Sequence, residues 1–276
     1  MSPLRRILRL TGVELLKVRA GRLAKVGLVA AVLVTALAAW SHEKATGETN
    51  WSIVSVAFSA GLWAAEIFLL VAGTTAIAGE AAQGTLKMIL PHAYRRSDWI
   101  AAKALALAVQ ALAFLVAVAG TAYVAGLVAG GLGDVIREGD PQFGVPTETL
   151  HTAADMRGLV GSAALAGLAS LVATSILGLF LSCLFDSVVP ALSTGFLLFL
   201  GLKSAEVLFG VSREALAKIY AWYPGQMLTL AEKLGKGLNE DWNPDLATQA
   251  IRLSAITAGA SLVGCLVVFT RRDLHS

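Results

Sequence analysis

Charged residues are scarce in this chain. Only 15% of its 276 residues are Asp, Glu, Lys or Arg, whereas 56% are hydrophobic, and an average soluble domain is about 25% charged. With so few charges, the chain has too little polar surface to cover a soluble core. The composition therefore excludes an ordinary cytosolic enzyme, a disordered chain and a nucleic-acid-binding domain. It predicts a membrane protein, for which membrane lipid is itself a partner.

Cysteine and histidine are scarce as well. Two cysteines in a chain of this length cannot form a disulfide scaffold. The four histidines are scattered, without the spacing of a metal site. No Ser-His-Asp or Cys-His set can be assembled on one side of a membrane. The sequence therefore predicts neither an active site nor a metal or cofactor site in this chain.

Six apolar stretches are long enough to cross a membrane, because about 20 helical residues span 30 Å of hydrocarbon. The third and fourth stretches exceed that length, which predicts tilt or an interfacial extension. We thus predict an all-α polytopic membrane protein with six transmembrane helices in a single transmembrane domain, 1–276. The predicted spans are 23–40, 51–78, 99–130, 159–185, 188–209 and 250–270.

The distribution of Lys and Arg predicts the orientation. With the N-terminus in the cytosol, the cytosolic side carries 13 basic and 5 acidic residues, and the outer side 9 basic and 13 acidic residues. Six spans return the C-terminus to the cytosol, where Arg271 and Arg272 follow the last span. We expect a multi-pass protein of the cytoplasmic (inner) membrane with both termini in the cytosol. Cys183 and Cys265 then lie near cytosolic helix ends, where a reducing compartment favours free thiols.

Residues 1–22 are typical of an amphipathic helix that lies at the membrane interface. An almost entirely apolar stripe recurs at helical spacing, and the bases Arg5, Arg6, Arg9 and Lys17 lie mostly off it. Anionic lipid headgroups favour such a basic face. The alternative is that these charges only hold the N-terminus in the cytosol, and the two interpretations are compatible.

The predicted cytosolic loop 79–98 combines a helix break with a short apolar face. Gly84 ends the helix that leaves the second span, Thr85 caps a new helix, and Pro91 stops it. An apolar face on this helix must bury against the membrane, the protein's own bundle or a soluble partner. The residues leave these alternatives open. The face consists of Leu86, Ile89 and Leu90.

This loop resembles that of the permease subunits of type 2 ATP-binding-cassette (ABC) transporters, the membrane subunits of ABC exporters. Their pattern is an acid, a Gly-Thr-Leu, a later Leu, then Arg, and a Lys at the start of the third span. Further matches are Glu14 to Lys17 before the first span and Phe269 to Leu274 after the last. The residues that match in the loop are Glu80, Gly84, Thr85, Leu86, Leu90, Arg95, Arg96 and Lys103.

The resemblance implies a permease that forms the substrate pathway with a second permease subunit, as a homodimer or heterodimer. Loop 80–98 would be the coupling helix gripped by a separate ABC ATPase subunit. This chain lacks the Gly-x-x-x-x-Gly-Lys-Ser/Thr order of a P-loop, so the partner would bind ATP and Mg²⁺ and hydrolyse the ATP. The coupling residues that it implies are Glu80, Gly84, Thr85, Leu86, Lys87, Leu90, Arg95, Arg96 and, in a second cytosolic turn, Asp186.

Two polar residues inside the predicted spans, Glu66 and Gln110, are candidates for the pathway. A carboxylate in the membrane is costly and indicates function by default. Glu66 would be a substrate contact or a protonation site; the alternative is a structural hydrogen bond to another span. For Gln110 the alternative is packing. A stripe of small residues in the fourth span predicts close helix packing; it consists of Ala166, Ser170, Thr174, Gly178 and Ser182.

Two other classes of function remain open. A proton-coupled secondary transporter would use Glu66 as its carrier. A non-transporting membrane subunit would relay ATPase motion to a partner outside the cytosol. The external segment 210–246, rich in aromatic residues, is expected to form half-inserted or membrane-resting helices. The sequence does not identify a substrate: lipid, glycolipid, peptide, drug and ion all remain possible.

Overall fold

The computed structural model describes residues 3–42, 50–84, 95–137, 148–209, 225–238 and 245–271. This part of the chain is helical apart from one small β-ladder. In chain order the elements are α1 (Pro3–Ala20), α2 (Arg22–Ser41), α3 (Asn50–Thr75), α4 (Ala78–Ala82), α5 (Arg96–Val128), β1 (Val135–Arg137), β2 (Glu148–His151), α6 (Ala153–Leu184), α7 (Val188–Phe209), α8 (Gly225–Gly235) and α9 (Asp245–Arg271).

In the described part of the chain, five helices are long and apolar enough to cross a membrane: α2, α3, α5, α6 and α9. They match the first, second, third, fourth and sixth predicted spans. Helices α5 and α6, with 33 and 32 residues, are longer than a perpendicular crossing needs, as predicted. Helix α7 covers the fifth predicted span, but its described apolar part, Val188–Gly201, is shorter than a crossing. The structure confirms a helical, multi-pass protein, and the sixth crossing stays a prediction.

Helix α6 packs between α3 and α9. It contacts α3 most closely where Gly178 faces Gly73. A methyl group added to Gly178 would lie 2.8 Å from the carbonyl oxygen of Leu70 and 3.0 Å from the backbone nitrogen of Thr74. Both of these atoms belong to the backbone of α3, so rotation of a side chain cannot relieve the clash. The small-residue stripe predicted in the fourth span is therefore buried at a close helix crossing.

One end of the bundle, which we call the basic end, holds α1, α4, the start of α5 and the last turn of α9. Helix α1 ends at Ala20, and α2 begins at Arg22 after the non-helical Gly21. Helix α1 packs on α5 and buries Thr11 and Glu14. Its leucines Leu4, Leu8 and Leu16 remain exposed, which is the arrangement that an interfacial helix requires.

The opposite end, which we call the hairpin end, carries the antiparallel β-ladder. Strand β1 pairs with β2, with Ile136 opposite Thr149. The predicted spans leave residues 131–158 as a connection without secondary structure; the β-branched residues around Ile136 favour a strand once α5 has ended. Trp51 is fully buried among Val135 of β1, Met156 of α6 and residues of α8, and its indole nitrogen donates a hydrogen bond to the carbonyl oxygen of Gly133, 2.9 Å away.

Helix α8 is the described part of the external segment 210–246. It packs against α3, and its Gly235 lies directly against the backbone of Trp51 and Ser52. Met227 and Leu228 are buried in the main core. This helix therefore covers the hairpin end of the bundle, in the segment where the sequence predicted half-inserted or membrane-resting helices that cap the outer end of a pathway. Residues 210–224 lie outside the described part of the chain.

The expectation of two free thiols is wrong for this structure, because Cys183 of α6 and Cys265 of α9 are joined as a disulfide. Their Cα atoms are 5.9 Å apart, a usual spacing for such a bond. Both residues are buried where the ends of the two helices pack together. The expectation rested on the predicted compartment, and nothing in the spacing of the two cysteines indicates that the helices meet there.

We predict that Gly178→Ala destabilises the protein by about 1–3 kcal/mol, the usual cost of overpacking, since the new methyl group must push α3 and α6 apart. The unfolding temperature of the purified chain in detergent measures the effect. Gly161→Ala is the matched control, because Gly161 lies on the same helix and has no atom within 4 Å of an added methyl group. Equal unfolding temperatures for the two variants would refute the close crossing.

Candidate functional site

Four charged side chains from three helices meet at the basic end. Glu14 and Lys17 come from α1, Glu80 from α4 and Lys103 from α5. Each lysine contacts both acids, and the four groups close into a ring of alternating charge, which we call the charge ring. The Nζ of Lys103 lies 2.9 Å from a carboxylate oxygen of Glu14 and 2.9 Å from one of Glu80; the Nζ of Lys17 lies 2.8 Å and 2.9 Å from the same two residues.

Helical spacing positions each member of the charge ring. Glu14 and Lys17 are three residues apart on α1, so their side chains share one face. Lys103 follows Trp99 by about one turn of α5, and its ammonium lies 4.5 Å from the centre of the Trp99 ring. This cation–π contact supplements the two ion pairs. The side chain of Lys103 is only 3% exposed, whereas that of Lys17 is 45% exposed.

Three further contacts extend this arrangement to the termini. The Trp99 ring stacks on Phe269 of α9, with centroids 5.3 Å apart. Arg96 donates a hydrogen bond to the backbone oxygen of Phe269 at 3.1 Å. Arg6 of α1 pairs with Asp98 of α5 at 3.3 Å. The N-terminal helix and the last turns of the C-terminal helix are thereby both held on the first two turns of α5.

The pKa values within α1 follow from this packing. Burial alone would raise the pKa of Glu14, but Lys103 and Lys17 together lower it below its ordinary value of 4.5. Burial opposes the charged form of Lys17, but hydrogen bonds to Glu14 and Glu80 outweigh it and raise its pKa above 10.5. The stabilisation from Glu14 is present above pH 4.5 and disappears as the pH falls through its lowered pKa. The stabilisation from Lys17 is present below pH 10.5 and disappears as the pH rises through its raised pKa. Glu14 and Lys17 are therefore both charged at physiological pH.

A cavity of about 430 Å³ adjoins the charge ring. The four ring residues line it together with Gln110, Thr75 and apolar residues of α2, α3, α5 and α7. Gln110 follows Lys103 by seven residues, which places it on the same face of α5 and about 10 Å farther from the basic end. Of the two pathway candidates, Gln110 thus lines the cavity. Because the charges of the ring balance, the cavity has no net charge from these residues.

Glu66, the other pathway candidate, lies elsewhere in the bundle. It is 1% exposed on α3, and the hydroxyl of Ser170 on α6 donates a hydrogen bond to its carboxylate at 2.6 Å. Glu66 does not line the cavity beside the charge ring. Its position is that of a polar contact between two packed helices.

The structure describes only the two ends of the expected coupling loop, residues 80–84 and 95–98. Glu80 belongs to the charge ring, and Gly84 follows α4 with a φ of +71°, a left-handed conformation that suits glycine at a helix end. Arg95 precedes α5 and is exposed, and Arg96 is the first residue of that helix. The expected coupling residues Thr85, Leu86, Lys87 and Leu90 lie outside the described part of the chain.

The second expected coupling contact, Asp186, is exposed in the tight turn between α6 and α7. A hydrogen-bonded link connects this turn to α4. The hydroxyl of Ser182, one turn before Asp186, accepts hydrogen bonds from the backbone nitrogens of Ile77 at 2.9 Å and Ala78 at 2.7 Å. Ser182 is fully buried, so it caps α4 from the neighbouring helix.

Sequence reasoning missed the connections among these residues. Glu14, Lys17 and Lys103 were recognised only as parts of separate motifs, and Asp98, Trp99 and Ser182 were not singled out for the site. One available signal is Lys103, a lysine seven residues inside a long apolar helix. An ammonium buried at that position needs acidic partners. Few acidic residues lie near that end of the bundle, so the choice of partners is small.

We predict that Lys103→Met destabilises the protein by about 3–5 kcal/mol, because Glu14 and Glu80 lose their buried partner. Lys17→Met, the same substitution at the exposed corner of the ring, should cost about 0–1 kcal/mol. Unfolding temperatures in detergent or nanodiscs compare the two variants. Adding Glu14→Gln and Glu80→Gln to Lys103→Met should restore part of the loss. A larger effect at Lys17 than at Lys103 would contradict the described ring.

Comparison with known proteins adds a family but no activity. No curated protein matches the chain. One family model matches residues 28–275, which include every element from α3 to α9 and most of α2; α1, with half of the charge ring, precedes the match. The family is described as a protein of unknown function. The chain therefore belongs to the DUF2705 family.

Proposed function

We propose that this chain is the membrane permease subunit of an ATP-driven ABC exporter, coupled to a separate ATPase subunit through the loop 80–98. One observation supports this most. The three segments that resemble ABC permeases are Glu14–Lys17, Glu80–Lys103 and the stretch that begins at Phe269. They are far apart in the sequence, yet their described residues contact one another at the basic end. A shared location is what a common role in coupling would require.

The loop 80–98 is well placed to transmit force to the spans. It starts at Glu80 in the charge ring and ends at Asp98, which pairs with Arg6. A displacement of the loop would therefore act on α1 and α5 through ion pairs, and on α3 through the adjoining α4. Ser182 ties the turn that carries Asp186 to the same α4. Both proposed ATPase contacts thus belong to one connected unit.

In this proposal the basic end faces the cytosol of a cell with an inner membrane, and both termini lie there. The ATPase subunit supplies ATP and Mg²⁺ binding and the hydrolysis, and this chain supplies no enzymatic step. A second permease subunit completes the substrate pathway. The cavity beside the charge ring, which opens near the proposed ATPase contacts, is the part of this protomer that would change shape during the cycle.

We predict that an ATPase subunit copurifies with the tagged chain in mild detergent and is lost from the variant Leu86→Asp plus Leu90→Asp. The two aspartates would place charge on the apolar face predicted to dock the ATPase. The control carries the same change at two exposed apolar residues of the hairpin end, Ile136→Asp and Leu238→Asp, and should keep the ATPase. Absence of an ATPase from every folded sample, or its retention by the loop variant, would overturn the proposal.

The rival proton-coupled transporter makes a different prediction at Glu66. We expect Glu66→Gln to retain ATP-dependent activity of the reconstituted complex, because glutamine keeps an oxygen that can accept the hydrogen bond from Ser170. The measurement is ATPase stimulation by the permease in proteoliposomes, at equal amounts of folded protein. Glu66→Leu, which removes the acceptor and leaves Ser170 unpaired, is the comparison that should lower stability. Loss of activity in Glu66→Gln, together with transport driven by a proton gradient alone, would favour the rival.

A further inference from the structure

A second cavity, of about 340 Å³, lies at the hairpin end between α3, α5 and α6. Three aromatic residues line it: Trp51 and Phe58 on α3 and Tyr123 on α5. The other walls are Val, Ala and Gly residues, and the one charged residue in the lining is Arg157 of α6. The cavity is therefore an apolar groove with a cation at one end.

The groove opens sideways between α5 and α6. Gly120 and Gly161 line it, both are exposed, and a methyl group added to either would meet no atom within 4 Å. On the same helical stripes lie Val116, Val124 and Leu165, which are 64%, 56% and 63% exposed. These residues belong to the long apolar faces that a spanning helix presents to hydrocarbon. The groove is thus continuous with the surface that lipid tails would contact.

Arg157 stands at the mouth of the groove, in the second turn of α6. Its Nε donates a hydrogen bond to the backbone oxygen of Ala153 at 3.0 Å, and its two terminal nitrogens form no hydrogen bond with a described residue. Among the described residues no carboxylate forms an ion pair with it. Guanidinium groups bind phosphate through two parallel hydrogen bonds.

The position of Arg157 along the spans fits a lipid headgroup. It lies near the start of α6, and Trp51 and Tyr123 lie near the hairpin end of α3 and α5. Arg157 and the exposed Tyr123 are therefore at the depth where headgroups meet hydrocarbon. From Arg157 to Ala164, the last residue of α6 in the lining, the groove extends about 10 Å toward the middle of the membrane. An acyl chain attached to a phosphate at Arg157 would enter it directly.

We propose that this groove binds one acyl chain of an anionic glycerophospholipid, whose phosphate pairs with Arg157. Phosphate pairing orients the lipid, and the apolar walls supply most of the binding energy through the hydrophobic surface that they bury. A net negative headgroup is favoured over a zwitterionic one because no choline or ethanolamine cation then competes near the guanidinium. The site does not depend on transport, since a lipid would occupy it in a permease or in any other membrane subunit.

The test uses the full chain in nanodiscs of phosphatidylcholine that contain phosphatidylglycerol with a photoreactive acyl chain. Labelled peptides are mapped after illumination, and unlabelled phosphatidylglycerol or phosphatidylcholine is added as competitor. We expect labels on the groove segments of α3, α5 and α6, with phosphatidylglycerol the stronger competitor. Arg157→Gln should weaken binding of phosphatidylglycerol about tenfold, as loss of a charged hydrogen bond does, and should reduce its advantage over phosphatidylcholine as a competitor. Gly161→Leu should abolish the groove labels by filling the space.

Two matched controls sit on α9, outside the groove. Gly259→Leu adds the same side chain at an exposed glycine with open space around it, and Arg252→Gln removes an exposed arginine. Both should leave the groove labels unchanged, and the unfolding temperature of each variant reports whether it is folded. Labels spread evenly over the lipid-facing helices, equal competition by the two lipids, or labels that survive in folded Gly161→Leu would each overturn the proposal.

Discussion

An ammonium group buried in an apolar bundle must be paired, and Lys103 imposes this constraint on the whole basic end of the molecule. Its side chain is almost fully buried and bonds to Glu14 and Glu80 at 2.9 Å each. An uncompensated charge in such a place would cost several kcal/mol. At least one of the two acids must therefore stay within reach of Lys103, which keeps α1 and α4 close to the start of α5. Lys17 then balances the second negative charge at the exposed corner.

The close crossing of α3 and α6 links the ion pairs of the charge ring to the packing of the whole bundle. At Gly178 the two backbones are nearly in contact, so α3 and α6 cannot slide past each other without losing that fit. Ser182, one turn further along α6, caps α4 through its hydroxyl. The acid Glu80 is carried by that capped helix. The position of the charge ring is thus set by backbone packing within the spans as well as by the charges themselves.

Much of the fold could be predicted from hydropathy. A helix in hydrocarbon forms all of its backbone hydrogen bonds internally, so it needs only sufficient length and apolar side chains. The long α5 and α6, the break at Gly84 and the tight turn before α7 follow from local sequence. The ladder partners of Ile136 and the disulfide between Cys183 and Cys265 do not, since each depends on segments that meet only after the bundle forms. Cys183 and Cys265 are separated by 82 residues.

The aromatic residues show the same limit of prediction from sequence. Tryptophan is common at membrane interfaces, and Trp40 is 85% exposed as that pattern predicts. Trp51 and Trp99 are instead buried, and each has a specific polar or charged partner, the Gly133 carbonyl and the Lys103 ammonium. Composition cannot separate these cases, because both kinds of tryptophan stand at the end of an apolar stretch. For the candidate site, likewise, the sequence indicates which residues matter but not that Glu14, Glu80 and Lys103 share one ring.

Both ends of the bundle contain a buried apolar cluster, but they differ in how their short helices are attached, and this difference decides which end is suited to move. At the hairpin end, Trp51, β1 and α8 form a packed apolar cluster, whose contacts are lost together if the parts separate. At the basic end the charge ring connects α1, α4 and α5, and each of its four charges has two partners of opposite sign. A lysine in a ring can exchange one carboxylate for another without becoming unpaired, so the helices can shift at modest cost. A cavity beside that ring supplies the space for such a shift. We therefore expect motion to be concentrated at the basic end, with the hairpin end as the fixed point.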